Sequence, residues 1–223
     1  VLIELDCENP VFPSVDQALS EPDGLLCVGG NLDPETLLAA YARGIFPWFS
    51  ADQPLLWWSP DPRLVITRSS FHVSRSLKRF LRRSDWVVTC NKAFVRVIRA
   101  CAQVERAGES GTWITDEMQQ AYVRLHQRGG AHSIEVWDQS DRLVGGLYGV
   151  ALGRVFFGES MFSLCSNASR VALYHLMESR SYDLVDCQMQ TDHLMRMGGF
   201  PVSRAAFCQK VAELIAWDAR ALD

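Results

Sequence analysis

The 223-residue sequence contains no uninterrupted apolar run near the roughly 20 residues that a membrane-spanning helix needs, so a membrane role is not expected. Its opening, VLIELDCENP, has neither the basic region nor the apolar core of a secretory signal, which leads to the expectation of a cytoplasmic location. No CxxC pair occurs. The seven cysteines (Cys7, Cys27, Cys90, Cys101, Cys165, Cys187 and Cys208) are odd in number and widely spaced, a pattern that suggests neither a disulfide framework nor a zinc site. They read as reduced, mostly buried thiols. Histidines are few and scattered, and His126 and His132 stand too far out of helical phase to share a face, so no metal is expected. Excess positive charge is missing too: the formal net charge is −4, which at first argues against a nucleic-acid partner.

The distribution of charge reverses that argument. Between Arg75 and Arg83 lie Arg75, Lys78, Arg79, Arg82 and Arg83 with no acid among them, so a basic patch sits on an otherwise acidic chain. With 48% apolar residues the chain can bury a substantial core, either as one large domain or as a small domain joined to a larger one.

Local patterns suggest the order of elements. Asp33-Pro34 before ETLLAAYAR and Gly44 after it supply an N-cap, a first-turn proline and a C-terminal glycine, which predicts a helix over 34–43. Pro47, Pro54, Pro60 and Pro62 argue against regular structure in the stretch that follows. Residues 72–83 place Val73, Leu77, Phe80 and Leu81 on one side and the five cations on the other, a helix with a basic face. Helical pattern continues over 91–106 and 115–128. The period then shortens: HSIEVWD, LVGGLYGVALG and VFFGESMF read as successive strands, ASRVALYHLMESR as a helix, YDLVDCQM as a strand and SRAAFCQKVAELIAW as a closing helix. The expectation is α+β: a small helix-rich N-terminal domain over 1–65, then a mixed α/β domain over 66–223 that includes the basic helix 72–83.

The phrases GLLCVGGNLDPETLLAAYARGIFPWFS, LLWWSPDPR, FHVSRSLKRF, GTWIT, AHSIEVW, LVGGLYGV, FGESMFS, NAS and LVDCQ occur in this order over about residues 12–200. Together they resemble the leucyl/phenylalanyl-tRNA–protein transferase family. The resemblance implies an N-acetyltransferase-like second domain with a central mixed sheet flanked by helices. It also implies transfer of Leu, Phe or Met from aminoacyl-tRNA to proteins beginning with Arg or Lys, which marks them for degradation, with no cofactor or metal. A monomer is expected. The pattern departs at Arg196, where a small residue is anticipated.

Such a reaction turns an activated ester into an amide, so neither ATP nor a metal is thermodynamically required. The protein must hold two substrates and help the attacking amine lose a proton; positioning alone contributes on the order of 7–11 kcal/mol. Asp186 and Gln188 are two apart in a strand-like run and are expected on one face, with Cys187 on the other. A Gln carbonyl can accept a hydrogen bond from the amine, and an ionised Asp186 accepting from the Gln NH₂ would orient it. Asp186 as a direct base is an alternative, and from the residues alone a strand-end turn is the favoured explanation of the pair. The resemblance supports the catalytic role. Glu159, a carboxylate in an apolar segment, needs a cationic partner: a substrate ammonium, or an arginine in an internal ion pair. FGESMFS is no nucleophile elbow, because Phe162 stands where the second glycine belongs.

Five cations on one helix face suit acceptor-stem phosphates without base specificity, although a solvated face is the commoner meaning of such a run. Trp48 and Trp113, in Gly- and Pro-flanked loops, are candidates for stacking on the terminal adenosine, with Tyr41 assisting; tryptophans are more often core, as read for Trp57 and Trp58. The resemblance places the pocket for the transferred side chain at Leu147, Leu173 and Val185. Two other functions compete. A coenzyme A-dependent N-acyltransferase would want a glycine-rich turn for the pyrophosphate, and SLCSNASRVA has no glycine. A non-catalytic tRNA-binding module would not need Asp186, Gln188 and Glu159 to converge.

Overall fold

The computed structural model describes residues 2–104 and 114–220, with backbone only for 217–220. Trp113 lies outside the described residues. The N-terminal unit contains strands β1 (Ile3–Leu5), β2 (Leu25–Gly29), β3 (Phe46–Pro47) and β4 (Leu56–Trp58) in a sheet of order β1-β2-β4-β3, with one α-helix, α1 (Pro34–Tyr41). The expectation of a helix-rich unit is therefore corrected to a small sheet carrying one helix. These strands of two to five residues are too short to show a period. Pro47 did not prevent pairing because β3 is an edge strand, where a missing N–H faces away from the ladder. Helix α1 starts as predicted at Pro34 with Asp33 as N-cap residue, but the Asp33 side chain makes no capping hydrogen bond; Asn31 Oδ1 braces the preceding turn by accepting from Asp33 N and Thr36 Oγ1.

The rest of the chain builds a seven-stranded sheet of order β11-β5-β10-β9-β8-β7-β6 from β5 (Arg63–Thr67), β6 (Val87–Cys90), β7 (Ala131–Trp137), β8 (Leu143–Leu152), β9 (Val155–Ser163), β10 (Leu184–Gln188) and β11 (Phe200–Val202). All neighbours are antiparallel except β9 and β10, which the crossover helix α5 (Ala168–Glu178) joins in parallel. The expected α/β architecture, a mixed sheet flanked by helices, is what the chain adopts. Strand β5 spans the boundary expected at 65/66 and belongs to this larger sheet.

Side chains alternate across the sheet as a period of two requires. Val65, Tyr148, Phe157 and Leu184 enter a core shared with α1, α3 (Phe94–Ala102), α4 (Asp116–Gln127) and α7 (Arg204–Arg220), whereas their neighbours Ile66, Leu147, Phe156 and Val185 enter a second core with α2 (Arg75–Arg83) and α5. A short helix, α6 (Asp192–Arg196), follows β10 and packs Leu194 against the second core. Helix α2 begins at Ser74, whose hydroxyl accepts from Leu77 N, and buries Leu77 while Arg75, Lys78, Arg79, Arg82 and Arg83 are all exposed. Among the described residues no helix is long and apolar enough to cross a membrane.

Candidate active site

Pairing between β9 and β10 runs from Leu184↔Val155 to Asp186↔Phe157 and stops there, although β9 continues to Ser163. At the same point the pairing of β10 with its other neighbour, β5, bulges between Asp186 and Gln188, and Gln188 takes a left-handed backbone, φ 60°. A gap opens in the sheet. Over it lies a cavity of about 360 Å³ whose apolar wall includes Leu147, Phe156, Leu173, Leu176 and Val185, and whose polar wall includes Glu159, Asp186 and Gln188. The three expected catalytic residues and the three expected pocket residues thus meet around one cavity. The apolar wall belongs to the α5 side of the sheet, and Glu159 and Asp186 continue the alternation of Phe157 and Leu184 toward the α1 side, so the gap joins the two faces.

Asp186 is fully buried and both of its oxygens accept hydrogen bonds. Arg63 Nε and Nη2 grip them at 2.8 and 2.7 Å, and Gln188 N donates to Oδ1 at 2.9 Å. Arg63 is equally buried, held between the rings of Phe46 and Phe207 at 4.7 and 4.6 Å, with its Nη1 donating to Gly44 O at 3.1 Å. Gly44 reaches this position with φ 75°, a conformation that favours glycine, at the end of α1. The expectation that Asp186 orients the Gln188 amide is corrected: a carboxylate inside a core takes a cation before it takes a neutral NH₂, and the bulge breaks the shared face.

The Gln188 amide is oriented by Glu159 instead. Gln188 Nε2 donates to Glu159 Oε1 at 3.0 Å, Tyr41 Oη donates to the same oxygen at 2.6 Å, and Tyr122 Oη donates to Oε2 at 3.0 Å; the two phenol oxygens also touch each other. Among the described residues no arginine forms an ion pair with Glu159; phenol and amide donors stand in place of the expected internal ion pair. Burial pushes its carboxyl up to about 7, and nearby Asp186 adds to this, while the tyrosine hydrogen bonds and Arg63 oppose it. Burial and the Glu159 charge hold both phenols well above their ordinary range, so they are neutral donors. Cys187 lines the same cavity, and burial pushes its thiol up strongly, which makes it inert.

Other expected site residues lie elsewhere. Tyr41 is buried with its ring against Phe157, so no face is open for stacking on a base. Trp48 is half-buried, packs edge-on to Trp58 at 5.4 Å and does not line the cavity. The five cations of α2 lie on a helix that packs against the α5 side of the sheet, and the segment before it is tied to the end of α6 by His72 N donating to Met197 O at 3.0 Å. Arg63 and Tyr122 were missed. A signal existed for the first: Arg63 and Asp186 are lone opposite charges in the apolar runs RLVIT and LVDCQ, and buried charges are found paired. Tyr122 sits on the apolar stripe of α4, where nothing local distinguishes it from core.

Residues 65–212 match the family model described as leucyl/phenylalanyl-tRNA protein transferase, and residues 30–61 match the model of that family's N-terminal domain. Among curated relatives, a leucyl/phenylalanyl-tRNA–protein transferase of Anaeromyxobacter dehalogenans is 56% identical over 93% of this chain and 89% of its own length. Proteins of the same name from an Azoarcus species and from Xanthomonas axonopodis are 54% and 52% identical, over 90% and 96% of this chain and 86% and 87% of their own lengths.

Proposed function

Because the chain belongs to the leucyl/phenylalanyl-tRNA–protein transferase family, we propose that it moves a leucyl or phenylalanyl group from charged tRNA to the N-terminal amine of a protein in the cavity beside Gln188. The observation that carries this is the union, around one gap in the sheet, of an apolar chamber and an amide whose NH₂ is already engaged. With Nε2 committed to Glu159, the Gln188 carbonyl is the end left to accept a hydrogen bond from an attacking amine. The amine nitrogen bonds to the ester carbon, the bond from that carbon to the ribose oxygen breaks, and the amine's proton ends on that oxygen. Gln188 stores no proton; it aligns the amine, whose pKa of about 8 leaves enough free base near neutrality. Glu159, Tyr41 and Tyr122 position Gln188, and the Arg63–Asp186 pair anchors its backbone N–H.

Leu147, Leu173 and Val185 form an apolar seat for the transferred side chain. Leu173→Ala is expected to raise the ratio of kcat/KM for Phe-tRNA over Leu-tRNA by about tenfold, since a cavity contact of this size is worth ~1–3 kcal/mol. The ratio is insensitive to any loss of folded protein, which single-substrate rates are not. Acceptors beginning with Arg or Lys, and action as a monomer, belong to the same reading.

Arg75, Lys78, Arg79, Arg82 and Arg83 grip the phosphates of the acceptor stem. A variant carrying R79Q, R82Q and R83Q is expected to bind charged tRNA more weakly and to lower the slope of log K against log salt by about 2–3, at roughly 0.9 per lost phosphate contact. An unchanged slope in a binding titration would remove α2 from the interface. The reading as a whole is tested by incubating the protein with radiolabelled Leu-tRNA and peptides that begin with Arg, Lys or Asp. Label is expected in the Arg and Lys peptides alone; label in none of them overturns the assignment.

A further inference from the structure

A second cationic surface lies away from the cavity. Arg96 and Arg99 lie three apart on the outer face of α3, and Lys92 stands two residues before the helix begins. Arg124 on α4 lines a depression of about 510 Å³ with Arg99, and Lys92 and Arg96 line another of about 460 Å³ with Trp137. Val95 is a wall of both, so the two run into each other. Lys92 and Arg96 hold their cations 5.5 and 4.9 Å from the centre of the Trp137 ring.

All four cations are exposed, and among the described residues none enters an ion pair, whereas Arg68, Arg128, Arg142 and Arg154 each have a carboxylate partner. Among the described residues Asp116 is the acid that lines the groove. A solvated helix face is the ordinary reading of scattered surface charge. Here the cations cluster and, among the described residues, have no carboxylate partner, on a chain whose first 62 residues hold Arg43 as their only basic side chain. Basic surface is thus segregated, which favours a polyanion with regularly placed charges over a single small ligand.

Position selects which polyanion. Helices α2 and α3 pack on opposite faces of the large sheet and flank its edge strand β6, which follows one and precedes the other in the chain. Helix α3 lies across β7, β8 and β9 on the face opposite α2, so its outward cations and the α2 cations look away from each other and cannot meet the same stretch of a bound tRNA. We propose that the α3–α4 face is a second RNA-binding surface, which takes duplex phosphates of the tRNA beyond the acceptor end held near α2. This rests on the tRNA reading given above and extends it to the body of the molecule.

The test compares full-length tRNA with an acceptor-stem minihelix by fluorescence anisotropy over a salt series, using the whole chain. The variant K92Q, R96Q and R99Q is expected to lose about tenfold or more in affinity for full-length tRNA, with a salt slope lower by about 2–3, and to bind the minihelix as the parent does. Its melting temperature should be unchanged, because these side chains are exposed. Unchanged affinity for full-length tRNA overturns the proposal; so does equal weakening for both RNAs, or an effect confined to the KM of an acidic acceptor protein. If the α2 variant binds both RNAs normally, the reading of α2 fails separately from that of α3.

Discussion

Gln188→Gly is expected to lower kcat by about 10²-fold, with little net change in stability and an unchanged affinity for charged tRNA. The reason is the backbone. Gln188 sits at φ 60°, which costs a non-glycine residue on the order of 1–3 kcal/mol and persists only where surrounding bonds over-determine it. Those bonds are the donation of its N–H to Asp186 and of its NH₂ to Glu159. Glycine adopts the same φ without strain but has no carbonyl to offer the amine. Stability and catalysis therefore separate at this position, which a thermal melt beside single-turnover kinetics will show; a Gly variant that retains transfer removes Gln188 from the mechanism.

The same contact sets a pH dependence. Glu159, raised from 4.5 to about 7, binds its proton in the folded state at pH values where the unfolded chain has released it. Its contribution to stability is thus fully present below pH 4.5 and is lost as pH rises through 7, a difference of about 3 kcal/mol at 1.36 kcal/mol per unit. Activity runs the other way, because only the carboxylate is an acceptor for all of its donors. The rate at saturating peptide is expected to rise through pH 7, and Glu159→Gln to lose that inflection.

Arg63→Met is expected to be the most destabilising single change near the site, by about 3–5 kcal/mol, since it strands the Asp186 charge in the core. For a chain of this size that corresponds to roughly 6–20 °C in melting temperature. Adding Asp186→Leu removes the stranded charge and is expected to restore part of the loss. It leaves the Gln188 N–H without its acceptor, at about 1–3 kcal/mol, so recovery is incomplete and transfer remains absent. A double variant no more stable than Arg63→Met would show that the desolvated pair is not what the core depends on.

Much of the larger domain was legible before folding. The runs AHSIEVW, LVGGLYGVAL and VFFGESMFS announce strands because they are long, β-branched or aromatic and close to the turns that connect them. The amphipathic 75–83 segment announces both its helix and its exposed cations. The N-terminal sheet was hidden, because strands as short as Phe46–Pro47 carry no period and gain their stability from β4 alongside. In the site, the residue types at 159, 186 and 188 were legible and their partners were not. Asp186 was matched to Gln188 by proximity in sequence, whereas its strongest bonds come from Arg63, 123 residues away.

The sequence alone determined which side chains are chemically unusual: charges placed in apolar strands, an amide beside a carboxylate, cations along one helix. Tertiary structure decided how they are shared out, because a buried charge is satisfied by whichever donor the fold brings within 3 Å, and those donors come from α1, α4 and β5. It also made the cavity, which lies where β9 runs on past the end of its pairing with β10.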